Sequence, residues 1–361
     1  MRQILRDIAI CGILAPSADN EHIFRLEFGD SFIRLWPTVE FATNSVQHRL
    51  ILGLFSLGAV LENMRLGAAR FGCEVKVSID PGRSTTAPLA HLDVTLSRVR
   101  EPNVLAASIS TRCTNRRMYF GPKLEQVEVD GLRSVLDPAS PIRLLRLNGD
   151  SRKRALSLIW RAESERFLRR SLHEEIFSSI RFDLPWTESA GSALPPGALE
   201  IEYPMRPMFK LLRSWPLMRF LNLFGAHHLI GLRAGWLPCW QAPGLFLVAT
   251  SGSPQEGAIE AGSAFQRMWL KATSLGLAVQ PLAASAILAL QKDGDKGASA
   301  SLRERLQTGW QLICPNLHPL VVFRVGRARQ PTVRAGREAL SHYLRDKSVE
   351  GISVPQSELR A

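Results

Sequence analysis

"GAVLENMRLGAARFGCEV" (residues 58–75) aligns without a gap with "GSAFQRMWLKATSLGLAV" (residues 262–279). Gly58/Gly262, Met64/Met268, Leu66/Leu270, Ala68/Ala272, Gly72/Gly276 and Val75/Val279 coincide. Each copy reads as a long helix that stops at glycine and runs into a strand. Two amphipathic helices with glycine stops can match by chance. Here the flanking order of strand, helix, glycine and strand repeats as well, which favours an internal duplication. A duplication of this kind predicts two tandem half-repeats that form a single-chain pseudo-dimer about a quasi-two-fold axis.

Outward from that pair, residues 2–14 carry Ile4, Leu5, Ile8, Cys11 and Ile13 at helical spacing. "APSADN" (15–20) breaks the pattern with Pro16 and Asn20. "FRLEF" (24–28) and "FIRLW" (32–36) alternate in polarity around Gly29-Asp30 and predict a β-hairpin. A helix over 48–71 carries the stripe Leu50, Leu54, Leu57, Leu61, Met64 and Ala68. Strands are expected at 75–79, 91–97 and 142–147, and a basic amphipathic helix at about 151–180. Residues 182–240 differ in kind. They are rich in Pro, Trp, Met and Phe, as in "PMRPMFKLLRSWPLMRFLNLFGAHH" (204–228), and read as an insertion of short helices and loops covering something apolar. "GLFLVAT" (244–250) and "LVVFRVG" (320–326) read as buried strands, with a helix at about 256–276 between them. The division expected is a first repeat at 1–100, a second at 101–345 holding the lid-like insertion, and a tail at 346–361.

Composition bounds the function without choosing it. The chain has 361 residues, 45% hydrophobic and 22% charged, in the globular range. With 45 Lys+Arg against 33 Asp+Glu, the net charge of +12 attracts anions of every kind. Five cysteines without a C-x-x-C argue against a disulfide framework or a zinc knuckle, and fit a reducing, cytoplasmic setting. Asp7 interrupts the approach to a brief apolar run, so the N-terminus is not read as a signal peptide. The apolar run 50–61 is short of the roughly 20 residues that a span requires. His227 and His228 are adjacent, cannot share a helix face and have no accompanying carboxylate motif, so no metal site is assigned.

The chemistry concentrates in "TRCTNRRMYF" (111–120). Arg112, Arg116 and Arg117 surround Thr114 and Asn115, with no acid in the ten residues. Guanidinium forks beside hydroxyl and amide groups suit a phosphate. The competing reading is a solvated basic helix start with Thr114 or Asn115 as its cap. A nucleic-acid patch is disfavoured, because aromatic residues are not interleaved with the basic ones.

"APSADN", the TRCTNRR cluster and the second repeat's run into "LGLAVQPL" together resemble the nitroreductase superfamily of FMN proteins, and within it the fused two-repeat Acg-type branch. The resemblance covers residues 1–345, and its strength lies in motif order and spacing. It implies an α+β, nitroreductase-like fold with FMN at the interface of the two halves. Arg112, Thr114 and Arg116 match the family's phosphate-binding positions, with Asn115 in the same stretch. Pro16, Ser17 and Asn20 match the P-S-x-x-N loop, with Asn20 toward the flavin edge or simply in an Asx turn. Gln280, Pro281 and Leu282 match the segment whose backbone approaches the ring, and Arg334 matches the C-terminal phosphate ligand, with Arg337 in reserve.

The loop occurs in one repeat and the arginine cluster in the other, which implies one composite FMN site per chain. Departures are Cys113 in place of an arginine, and His22-Ile23-Phe24 in place of Q-P-W, so the roles of His22 and Cys113 stay open. The implied function is an FMN oxidoreductase taking electrons from NAD(P)H or another donor and passing them to a small organic acceptor. No side-chain acid or base is assigned. The alternative is a silent FMN storage protein whose insertion lids the site. No nucleic-acid partner and no membrane span are expected, and the protein is expected to be a monomer or weak homodimer.

Overall fold

The computed structural model describes residues 1–80, 82, 84–97, 104–292, 294 and 297–346. The expected boundary at 100/101 and the tail beyond 346 lie outside the described residues. The first half runs α1 (Arg2–Ile13), β1 (Phe24–Phe28), β2 (Phe32–Pro37), the short α2 (Val39–Thr43), α3 (Gln47–Arg70), β3 (Cys73–Ile79) and β4 (Ala90–Leu96). The second opens with α4 (Gln126–Arg133), β5 (Ile142–Arg146), α5 (Gly149–Leu168) and α6 (Arg170–Ser178). Short helices follow: α7 (Arg206–Leu211), α8 (Trp215–Asn222), α9 (Ala226–Gly231) and α10 (Leu237–Gln241). The chain then forms β6 (Gly244–Thr250), α11 (Pro254–Ser274), β7 (Ala278–Leu282), α12 (Ala284–Ile287), α13 (Ala300–Ile313) and β8 (His318–Gly326).

The strands form two antiparallel sheets of an α+β architecture, ordered β1-β2-β4-β3 and β5-β6-β8-β7. The two orders correspond position for position, and in chain order the long helices α3 and α11 lead from β2 to β3 and from β6 to β7. Every residue of β6 is buried. Phe246 and Val248 enter one core, while Leu245, Leu247 and Ala249 enter another. Alternating side chains thus meet protein on both faces of that strand.

Helices α3 and α11 cross at Gly58 and Gly262. A Cβ on Gly58 would lie 1.8 Å from the Ile259 carbonyl oxygen, and one on Gly262 would lie 1.8 Å from that of Phe55. Both contacts fall three residues before the facing glycine. Gly72 and Gly276 end the two helices, both at φ 70°, where a Cβ is disfavoured. Around the crossing, Ser263 Oγ donates to Gly58 O at 2.8 Å, and Gln266 Nε2 donates to Asn63 Oδ1 at 2.7 Å. Arg267 pairs with Glu62 at 3.0 Å. The apolar stretch around 50–61 belongs to a helix of 24 residues, long and apolar enough to cross a membrane by composition alone. It lies inside the fold, with 83% of its most apolar window buried.

The helix expected over 151–180 is two helices. Arg169 leaves the helical region at φ −95°, ψ 127°, and its guanidinium bonds Glu165 at 3.1 Å. The break re-aims α6, placing Leu172 and Ile176 in a cavity wall. Helix α13 was not anticipated, although Ser299 caps it and the buried Leu302, Leu306 and Trp310 recur at spacing four. The last described segment returns to the first sheet, where Arg345 N donates to Leu26 O at 2.9 Å.

Candidate functional site

A cavity of about 830 Å³ lies between the halves. That is within the range of roughly 300–1,000 Å³ typical of sites for small molecules and cofactors. Its first wall is the loop after α1. Asp19 (φ 53°) and Asn20 (φ 65°) are left-handed there, a conformation that short Asx side chains tolerate better than most. Its second wall is the arginine segment. Thr114 bridges Val279, and Asn115 N donates to Val279 O at 3.0 Å. This pairing along β7 sets residues 112–116 beside Gln280, Pro281 and Leu282. Phe55, Phe265 and Trp269 supply apolar surface from the crossing helices, and α6 with the insertion forms the rest.

Three guanidiniums mark one side. Arg112, Arg116 and Arg337 line the cavity, and none has a carboxylate in ion-pair range among the described residues. Their direct partners are carbonyl oxygens. Arg112 donates to Leu14 O at 3.0 Å, Arg116 to Ala198 O at 3.1 Å, and Arg337 to Ile13 O at 2.7 Å and to Ala15 O. Arg112 also lies over the Trp269 ring at 4.5 Å. Burial, reinforced by repulsion from Arg337, pushes Arg112 down to about 9. Burial alone takes Arg337 down to about 10 and is the largest cause of a lowered Arg116. Two buried polar atoms of the same lining lack any partner, Ser17 Oγ and Arg112 Nε. Donors held out of water with no acceptor are rare in native proteins and point to a ligand.

The other side is charge-balanced. Arg49 bonds Asp19 at 2.6 Å and Glu175 at 2.8 Å. His48 Nε2 lies 3.4 Å from Glu175, while Gln291 Nε2 meets its Nδ1 at 2.8 Å. Burial pulls the Glu175 carboxyl up, but the His48 hydrogen bond and Arg49 outweigh it and hold the group low. Arg166 pairs with Glu163 at 2.9 Å. Anionic ligand charge therefore belongs with Arg112, Arg116 and Arg337.

Of the residues singled out from sequence, Pro16, Ser17, Asn20, Arg112, Thr114, Arg116, Gln280, Pro281, Leu282 and Arg337 line this cavity, as does Cys113. Asn115 stands behind the wall, where its amide donates to Arg329 O at 2.8 Å and accepts from Arg117 N at 3.0 Å. Arg334 is exposed, bonds Gln330 at 2.9 Å and lies outside the lining. Asn20 uses its amide to hold Ala190, Gly191 and Gly336 carbonyls at 3.3–3.4 Å, fastening the insertion and the C-terminal segment together. The Gln280 side-chain oxygen Oε1 accepts from the fully buried Arg324 at 2.6 Å, and Gln280 is the register partner of Arg324 in the β7–β8 pair. His22 is buried outside the cavity against Phe24 and Tyr343, with Nε2 at 2.9 Å from Ile13 O. Burial first, then Arg337, depresses it to about 3, so it is a neutral packing residue that donates from Nε2. Sequence reasoning missed Arg49, Glu163, Arg166 and Glu175. None sits in a motif; Arg49 joins α3 to the loop and to α6, while Glu163 and Arg166 pair within α5.

No protein-family model matches the chain. An uncharacterized protein of Mycobacterium tuberculosis (strain CDC 1551 / Oshkosh) is 24% identical over 304 residues, covering 78% of this chain. The chain spans 40% of the length of that relative. Among solved structures, the chain is similar to the FMN-dependent nitroreductase NfnB of Mycobacterium smegmatis in complex with NADPH, at 14% identity. That match covers 68% of this chain and 98% of the other, with a TM-score of 0.35. Nitroreductase A of Vibrio parahaemolyticus RIMD 2210633 is similar at 10% identity, with 71% and 80% covered and a TM-score of 0.37.

Proposed function

We propose that this chain is an FMN-dependent oxidoreductase of the nitroreductase type, with one composite flavin site between the halves of a single-chain pseudo-dimer. The observation that carries the reading is the set of carboxylate-free guanidiniums, Arg112, Arg116 and Arg337, in one wall of a largely apolar cavity. A phosphate monoester supplies the negative charge they lack. The partnerless Ser17 Oγ and Arg112 Nε are suited to bond its oxygens or the adjacent polyol. A flat apolar ring system fits among Phe55, Phe265, Trp269 and Pro281. The residues present fit FMN on these counts. When bound, the flavin supplies hydride and electron transfer between NAD(P)H, or another donor, and a small organic acceptor. The chain's own residues bind and orient: the guanidiniums anchor, β7 offers backbone at the ring edge, and the insertion excludes water. The pseudo-dimer reading draws support from the matched sheet orders and the reciprocal glycine contacts. The free cysteines fit a cytoplasmic setting.

A second reading, FMN storage without turnover, is favoured by one feature. Arg116 bonds Ala198 within the insertion, which joins the anion wall to the roof. The deciding measurement is a visible spectrum of the purified chain with its flavin-to-chain ratio, followed by anaerobic addition of NADPH or NADH. One flavin per chain bleached within seconds supports the reductase. A flavin that stays oxidised supports storage. Failure to take up FMN from excess overturns both.

A further inference from the structure

The insertion also presents an apolar, basic outer surface that the flavin reading does not use. Met205, just before α7, and Met208 and Leu211 within it recur every three residues and are 52%, 47% and 57% exposed. Phe220, Leu223 and Phe224 occupy positions i, i+3 and i+4 at the end of α8, at 56%, 78% and 74%. The rings of Phe220 and Phe224 meet at 5.5 Å, and Leu229 of α9 is also exposed. The opposite sides of these helices are satisfied, since Leu212 and Met218 are buried in an aromatic cluster with Phe167 and Phe177. Such a concentration of exposed large apolar side chains marks an interaction surface.

Its charge selects the occupant. From Tyr203 to Trp240 there is no Asp or Glu, while Arg206, Lys210, Arg213, Arg219 and Arg233 all fall in that stretch. Lys210, Arg213 and Arg219 are exposed and without a carboxylate partner among the described residues. Large apolar and aromatic groups interleaved with cations, and free of acids, match a bilayer interface bearing anionic headgroups. Met205, Met208 and Leu229 also belong to the cavity lining, so the cavity opens on this same face.

We propose that residues 203–232 dock the protein peripherally on an anionic lipid surface, with the cavity mouth turned toward the bilayer. The docking is independent of whether the cavity holds a flavin. A ligand dissolved in the membrane then enters without crossing water, which makes the ligand class accepted by this face lipophilic.

The test is sedimentation of the full chain with phosphatidylcholine vesicles, with and without one quarter phosphatidylglycerol. Binding is expected only to the anionic vesicles, and should weaken with salt. Triple replacement Phe220→Ser, Leu223→Ser, Phe224→Ser should reduce partitioning more than tenfold, because the inserted apolar area is lost. Lys210→Gln, Arg213→Gln and Arg219→Gln should each weaken it about fivefold. Circular dichroism checks that the variants fold; should the triple variant unfold, the charge series decides alone. Absence of binding at low salt overturns the proposal, as does binding that neither set changes. A concentration-dependent dimer by light scattering, lost in the triple variant, would assign the face to a second copy and overturn it equally.

Discussion

Arg112→Met separates two accounts of the arginine wall. If Arg112 serves only to cap the carbonyls at the end of α1, its removal forfeits the Leu14 bond and the contact over Trp269. Those are worth about 1 kcal/mol and about 0.5–1 kcal/mol. If it is a phosphate ligand, it stands in the ligand-free protein as a charge without a counter-ion. Bringing the guanidinium from 12.5 down to about 9 corresponds to about 5 kcal/mol against the charged form. Water in the open cavity screens that, leaving roughly 2–3 kcal/mol to be regained when the charge is removed. The flavin-free variant should therefore be as stable as the parent or about 1 kcal/mol more stable in urea unfolding. FMN affinity should meanwhile fall roughly 10- to 100-fold, as loss of a charge-assisted bond of about 1.5–3 kcal/mol implies. Riboflavin, which lacks the phosphate, should bind both proteins alike. The measurement is flavin fluorescence quenching with both ligands, beside the unfolding curve. A variant destabilised by more than 1 kcal/mol, with its preference for FMN over riboflavin intact, would refute the phosphate account and leave a helix cap.

Gly58→Ala and Gly262→Ala each drive a methyl to 1.8 Å from a backbone carbonyl, and each should lower stability by about 3 kcal/mol or more by urea unfolding. His22 has a folded value near 3 against 6.5 unfolded. The unfolded state binds the extra proton, so its contribution is intact above about pH 6.5 and is progressively lost as the pH falls toward 3. The loss is about 2 kcal/mol by pH 5, and His22→Gln should flatten that part of the stability–pH curve, while His173 and His227, shifted the same way, leave a residual slope. For the anion wall the sign is opposite in direction of pH. Burial lowers Arg112 and Arg337, to about 9 and about 10, so the affinity of the flavin-free protein for inorganic phosphate, read by calorimetric titration, should weaken as the pH climbs from 8 to 10.5. Asn20→Ala removes three long hydrogen bonds holding the insertion to the C-terminal segment, and stopped-flow release of FMN should accelerate several-fold.

What the sequence made legible followed from short-range physics. The alignment of 58–75 with 262–279 works because a helix crossing at close approach demands glycine in both partners, and a helix stop at φ 70° demands it again. Those demands are written in residue type at fixed spacing. The site depends on contacts between residues far apart in the chain. Thr114 meets Val279, and His22 meets Tyr343 edge to face, which no periodicity announces. Arg334 and Arg337 are three residues apart in an irregular segment, with no helix or strand period to say which turns inward. That is settled by Gly336 N bonding Ala190 O and Val333 burying itself, both against the insertion. The same insertion accounts for the asymmetry between two sheets of matching strand order. Between β1 and β2 the chain turns within 29–31, whereas between β5 and β6 it spends 147–243 on α5 to α10. Equal sheets with equal connections would build two equal cavities. Here one connection supplies Glu163, Arg166 and Glu175 to the walls and the whole roof, and the short turn supplies none of these. The two sheet orders match while the long connection occurs once among the described residues, so the flavin site proposed above takes these walls from one side only.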